Sequence, residues 1–297
     1  MNNTPNSKTP WLGYAFLAYS LLCLFMTFGI IYWLNHTEAF ISSQAAKDLA
    51  RSEVQVEDTT SLYTEESIQI PTNIPALKRN FYKQLLPAIN RQNAKIKQQR
   101  RQLIKMAERQ NEGKPLTLEQ QATLETWSLR YRAAEDLTDE ALVQELLVRV
   151  DVVPPSMALA QAAMESAWGR SRFAKEANNY FGQWCFTPGC GVVPNRRNPG
   201  ATHEVARFDS LQAAVAAYML NINSHPAYEQ VRLIRAESRS QQQMLDSLKL
   251  AQGLEKYSEK GTAYIDDLKG MIRYNKLKQF DPQPTDTKGN SAVAADS

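Results

Sequence analysis

The chain has 297 residues, with 34 Lys and Arg against 31 Asp and Glu, a formal net charge of +3. So even a balance excludes a purely electrostatic role such as non-specific nucleic-acid binding. Three cysteines and three histidines, with His36, His203 and His225 far apart, do not make a clustered metal site, and no cofactor is implied.

Residues 1–10 carry Lys8 and precede an uncharged run from Trp11 to Leu34, 24 residues long. At about 1.5 Å per residue a helix of that length crosses a bilayer. Residues 11–34 are therefore expected to be a transmembrane anchor in the inner membrane. Positive charge before the span and Glu38 after it place residues 1–10 in the cytoplasm and the bulk of the chain in the periplasm. Cleavage near Ser43 to Ala46 would instead release a periplasmic protein. Residues 35–75, rich in Ser, Thr, Glu and Pro without lasting periodicity, read as a stalk.

From residue 76 to 137 the chain becomes helical and basic. From Pro75 to Asn111, Lys78, Arg79, Lys83, Arg91, Lys95, Lys97, Arg100, Arg101, Lys105 and Arg109 stand against Glu108 alone. Phe81, Leu85, Ile89, Ile96, Leu103 and Ile104 form an apolar stripe. Such a helix either packs its stripe on a neighbouring domain or offers its charge to anionic wall polymers or lipid headgroups. After the Gly113-Lys114-Pro115 turn, helices are expected over 118–134 and 139–150, the second capped by Thr138 with Asp139 and Glu140 in its first turn.

The Val152-Val153-Pro154-Pro155 break leads into a helix capped by Ser156. Its residues Met157, Leu159, Ala160, Ala163 and Met164 are apolar nearly all round, so it is expected to be buried. Glu165 is the acidic exception. One helical turn separates it from Gln161 and Ala162 on one side and from Trp168 on the other, and Gly169 suits a C-cap. A carboxyl group in that setting holds its proton above the usual range because desolvation penalises the charge. A general acid working near neutral pH needs that property.

The run AQAAMESAWG (160–169), followed by Asn178-Asn179-Tyr180-Phe181-Gly182, resembles two motifs of the bacterial glucosaminidase family. These lysozyme-like enzymes cleave peptidoglycan and include flagellar muralytic proteins and autolysins. The resemblance covers roughly residues 138–280. It implies a mainly α, lysozyme-like α+β domain with a small β-hairpin lobe and peptidoglycan glycan strands as substrate. It also implies Glu165 as acid, with Trp168, Asn178, Asn179, Phe181 and Gly182 lining the sugar site. Tyr257 to Tyr264 resembles the family's YATDPxY motif without its Thr-Asp-Pro centre, which marks Tyr264 as assisting hydrolysis and Tyr257 as a substrate contact. Tyr264, Leu268 and Ile272 also form a helical stripe, an equally good reason for that tyrosine.

Cys185 and Cys190 enclose Phe-Thr-Pro-Gly, in which Pro188 and Gly189 fit the centre of a type II turn. In an oxidising compartment the thiols would join, worth about 2 kcal/mol by loop entropy. A hairpin is expected between Val192 and Phe208. Glu204 lies there as a candidate second carboxylate, or as an ordinary strand glutamate paired with Arg207 or Arg197. Asp209-Ser210 reads as the cap of a helix over 211–222. The tail 281–297 has a disordered composition.

The expected activity is cleavage of the β-1,4 bond after N-acetylglucosamine. Glu165 would protonate the leaving oxygen, and either Glu204 would activate water or the substrate's N-acetyl group would attack. A lytic transglycosylase or muramidase, and a wall-binding scaffold without catalysis, are the alternatives.

Overall fold

In the computed structural model the described residues are 70–282, apart from 196, 198 and 199. The expected span 11–34, most of the stalk and all but the first two residues of the tail lie outside them. Among the described residues no helix is long and apolar enough to cross a membrane.

The structure is mainly helical with one small antiparallel sheet. Helix α1 (Ala76–Asn111) is followed by α2 (Leu118–Tyr131), α3 (Asp139–Arg149), α4 (Pro155–Ser166) and α5 (Arg172–Ala177). Three short strands come next: β1 (Trp184–Cys185), β2 (Gly191–Val192) and β3 (Glu204–Ala206). Next come α6 (Leu211–Ser224), α7 (Glu229–Ser240), α8 (Ser247–Leu250) and α9 (Thr262–Tyr274), joined by 3₁₀ turns at Pro226–Tyr228 and Ala251–Tyr257, and a last 3₁₀ turn at Leu277–Phe280. In the sheet β3 is central, pairing Val205 with Trp184 of β1 and with Val192 of β2. The lobe is therefore wider than the 192–208 hairpin read from the sequence, because β1 begins at Trp184.

Helix α4 is the centre of the molecule. Every residue from Pro155 to Ala163 is buried, and α1, α8 and α9 surround it. The long basic helix α1 buries Phe81, Tyr82, Leu85, Leu86, Ile89, Ile96 and Leu103 in the same core as α4, α6 and α9. Its apolar stripe thus belongs to this core, which α2 also enters through Leu124, Trp127 and Tyr131. Half of its ten cations, Lys83, Arg91, Lys95, Arg101 and Lys105, are exposed. Buried Arg100 is different, since its guanidinium donates to the carbonyls of Leu147 and Val150 at the end of α3.

The turn from α3 into α4 is polar inside. Arg235 of α7 is 1% exposed and donates to the carbonyls of Val148, Arg149, Asp151 and Val152 and to Asn223 Oδ1. Arg239 forks onto the Asp151 carboxylate with two 2.9 Å bonds. Burial pushes the Asp151 carboxyl up, but the guanidinium groups of Arg239, Arg100 and Arg235 outweigh it and hold the carboxyl far below the usual range. A turn with this many carbonyls facing inward needs such donors.

Two expected helix ends need correction here. Thr117 caps α2 in a capping box with Gln120, and α2 stops at Tyr131 because Arg132 turns left-handed. Helix α4 starts at Pro155, with proline's fixed φ replacing a side-chain cap. Ser156 instead donates its N–H and hydroxyl to the two oxygens of Asp281, at 2.8 and 2.6 Å. Asp281 is 9% exposed, so the first residue assigned to a tail holds the start of α4. Thr138 and Ser210 do cap α3 and α6.

Candidate active site

Three consecutive residues, Ala167, Trp168 and Gly169, have positive φ and end α4 two residues earlier than the Gly169 cap predicted. Ser166 makes this turn affordable. Its buried hydroxyl donates to the Ala162 carbonyl at 2.5 Å and accepts from the Gly169 N–H at 2.8 Å. Glu165 is therefore the penultimate residue of a helix whose other faces are buried, and it is exposed to solvent there. Trp168 packs against α1. Its ring meets Phe81 and Tyr82 edge-on at 5.4 and 6.0 Å, with Lys78 Nζ 5.0 Å from its centre. The helical spacing that set Trp168 one turn from the acid fails because the helix has already ended.

Desolvation by surrounding protein holds the Glu165 carboxyl above the usual carboxylate range, although the residue is open to water on one side. A hydrogen bond from Tyr264 and the charge of Lys260 pull the other way without cancelling it. Tyr264 is buried, and its phenol is held far above its ordinary value by burial first and by Glu165 second. It therefore stays protonated.

Behind this pair lies a directional chain of hydrogen bonds. Tyr218 donates to Gln161 Oε1 at 2.6 Å, and Gln161 Nε2 donates to the Tyr264 oxygen at 3.2 Å. With an amide N–H filling a lone pair of Tyr264, its single proton is free to point at Glu165. Gln161 sits one turn back on α4, fully buried. A buried amide on so apolar a helix was the readable sign of this role.

Gly182 closes the other side of the acid. Its φ is +65°, and a Cβ placed there would stand 3.2 Å from Glu165 Oε2. Only glycine lets the backbone of the sheet lobe approach the carboxyl this closely. Phe181 is buried and stacks on Tyr218 with ring centres 4.0 Å apart. Tyr257 donates to the Phe181 carbonyl at 2.9 Å and stacks on Tyr264 at 5.4 Å. Phe181 and Tyr257 thus fix Gly182 and Tyr264 in place.

The asparagines act on backbone. Asn178 is left-handed at the end of α5 and donates to the Phe208 carbonyl. Asn179 donates to the carbonyls of Gln183 and Ala206 and accepts from Gln183 N–H. Their side chains hold the turn that delivers Gly182.

Glu204 is buried in β3, and its two oxygens accept from Gly189 N–H at 3.0 Å and Gly191 N–H at 2.8 Å. Those bonds hold its carboxyl below the usual range, with a smaller contribution from Arg197. It braces the loop closed by the Cys185–Cys190 disulfide. In that loop Gly189 has φ +81° and Cys190 N–H donates to the Thr187 carbonyl, as a type II turn requires. Cys185, Cys190 and Glu204 are grouped as metal ligands would be, but the sulfurs are bonded to each other and the carboxylate to two amides.

Glu165 is thus a desolvated carboxyl at a helix end, beside a small sheet lobe. The family model described as mannosyl-glycoprotein endo-beta-N-acetylglucosaminidase matches residues 140–277, and the chain belongs to this glucosaminidase family. Within it the chain is Bax-like: it is 34% identical to protein bax of Escherichia coli (strain K12) over 206 residues, covering 69% of this chain and 72% of that protein. No solved structure matches it significantly. Family membership points to glycosidase chemistry on a glycan.

Proposed function

We propose that this chain is a peptidoglycan hydrolase that cleaves the β-1,4 bond after N-acetylglucosamine, with Glu165 as general acid. The observation that carries the reading is the Glu165 carboxyl, held above the usual carboxylate range by desolvation and set between Tyr264 and the Gly182 backbone. A carboxyl so placed can protonate a leaving glycosidic oxygen near neutral pH. As the proton leaves, the Tyr264 hydroxyl stabilises the carboxylate that remains.

The other half of the reaction is assigned to the substrate. Both Glu204 oxygens already accept backbone hydrogen bonds, and the charges and hydrogen bonds that shift Glu165 come from Tyr264 and Lys260. This supports attack by the substrate's own N-acetyl group over a water activated by Glu204. Tyr264 then serves as a positioning residue that acts through Glu165.

The domain is proposed to work outside the cytoplasm, tethered to the inner membrane by residues 11–34. The Cys185–Cys190 disulfide supports an oxidising compartment. Purified wall sacculi incubated with the full chain and with Glu165→Gln test the assignment. The variant is expected to lose about 10²–10⁴-fold in solubilising rate with an unchanged circular dichroism spectrum. Undiminished digestion by a folded Glu165→Gln protein would overturn it.

A further inference from the structure

The sheet lobe exposes aromatic surface that neither the acid site nor the core uses. Trp184 of β1 is 55% exposed and Phe186 is 69% exposed. The Trp184 ring lies parallel to His203, with an interplanar angle of 8° and centres 4.1 Å apart. One face of the indole is thus covered, and the exposure belongs to the other.

The platform is held rigidly. Trp184 pairs with Val205 across the strands, so its side chain rises from the same sheet face as the buried Val205 side chain and as Val192. The next residue, Cys185, is in the disulfide, and its cross-strand partner is Glu204, which grips the far end of that loop. Arg197 donates to the His203 carbonyl at 3.4 Å. Gln183, preceding the tryptophan, donates its side chain to the Ala214 carbonyl.

Position gives the platform an occupant. Gly182 lies against the Glu165 carboxyl, and consecutive Cα atoms are about 3.8 Å apart, so the Trp184 Cα is within roughly 8 Å of the Gly182 Cα. On the glycan reading of the acid site, a strand held with its scissile bond at Glu165 has its neighbouring sugar units within reach of this ring. β-1,4-Linked pyranoses carry their hydroxyl and acetamido groups around the ring edge, which leaves flat C–H faces, and an indole with one free face matches such a surface.

We propose that Trp184, backed by His203, is a stacking platform for an N-acetylated sugar unit beside the scissile bond. The inference rests on the glycan reading of the acid site and adds a binding position to it. Rigid planar presentation means that little side-chain freedom is lost when the sugar docks.

The test measures binding in the Glu165→Gln background of the full chain, so that the ligand is not cut. Calorimetry with the β-1,4-linked tetramer and dimer of N-acetylglucosamine would be compared for Trp184, Trp184→Ala and Trp184→Phe. Trp184→Ala is expected to weaken tetramer binding about tenfold, within the range of aromatic stacking, to leave the thermal midpoint unchanged, and to reduce the preference for tetramer over dimer. Trp184→Phe should recover most of the affinity. His203→Ala should give an intermediate loss.

Equal tetramer affinity in Trp184→Ala overturns the platform while leaving the hydrolase reading intact. A wild-type dimer that dissociates on Trp184→Ala without a change in sugar affinity would assign the face to self-association instead. Tetramer binding that depends on Trp184, in a protein whose wild type does not cut sacculi, would keep the platform and sink the enzyme. Failure of any form to bind either oligosaccharide would overturn the platform directly.

Discussion

Tyr264 has one proton to give, and its surroundings decide where it goes. Gln161 fills a lone pair of the phenol from behind, so the hydroxyl points at Glu165. Removing it in Tyr264→Phe takes away a bond that favours the charged carboxylate, and the Glu165 value rises further. With Glu165 as the proposed general acid, the alkaline limb of the kcat/KM pH profile is expected to move to higher pH in this variant, together with a lower maximum rate. A limb that stays in place would show that another group sets it. Lys260→Gln should move the limb in the same direction by a smaller amount that added salt suppresses, since an exposed charge acts through screened electrostatics.

At the scale of elements, the sheet lobe is braced by two devices of different kinds. The disulfide closes a short loop, and its reduction is expected to cost about 2 kcal/mol of stability by loop entropy, read as a lowered melting midpoint with reductant. Glu204 holds the same loop through two backbone amides, which a glutamine cannot satisfy with its single acceptor oxygen. Glu204→Gln should therefore lower the melting midpoint while wall digestion falls by less than about tenfold, against the ~10²–10⁴-fold expected for Glu165→Gln. A loss as large as that of Glu165→Gln, with fold and disulfide intact, would make Glu204 the water-activating base.

The two ends of α4 show what the sequence could and could not convey. Glu165 was legible because one acidic residue in an apolar helix is a local anomaly. The Cys185–Cys190 turn was legible because Pro and Gly fix backbone angles locally. Trp168 was misplaced because helical spacing was carried past Ser166, where a side-chain hydroxyl turns the chain left-handed. For Glu204 and the asparagines a motif preserves residue types, and what the structure adds is that their side chains bond backbone groups. Asp281 was missed because its partner, Ser156, is 125 residues away.

At the scale of the whole molecule, that last contact links the chain's end to its central helix. Burial pushes the Asp281 carboxyl up from its ordinary 3.8 to about 6 against the donors on Ser156, with attraction to Lys278 and repulsion from Asp246 as lesser contributions. The folded chain therefore binds this proton more tightly than the unfolded one. Its contribution makes stability fall as pH rises from about 4 to about 6, by at most about 3 kcal/mol, and adds no further slope above. Asp281→Asn should flatten the fall when denaturant unfolding is measured across that range. An identical slope in the variant would place the titration elsewhere. The same scale explains why α1, read as a separate basic region, shares the core: its stripe of Phe81, Leu85, Ile89 and Leu103 is buried with α4 and α6, and a helix with that stripe exposed would not stand alone in water.

The central claim is that this site hydrolyses the bond after N-acetylglucosamine. Mass spectrometry of sacculi digested by the purified full chain addresses it most directly. Fragments ending in reducing N-acetylglucosamine, present with the unaltered protein and missing with Glu165→Gln, are the predicted result. Fragments ending in anhydromuramic acid or in reducing N-acetylmuramic acid would contradict it, and would make the chain a lytic transglycosylase or a muramidase built on the same fold.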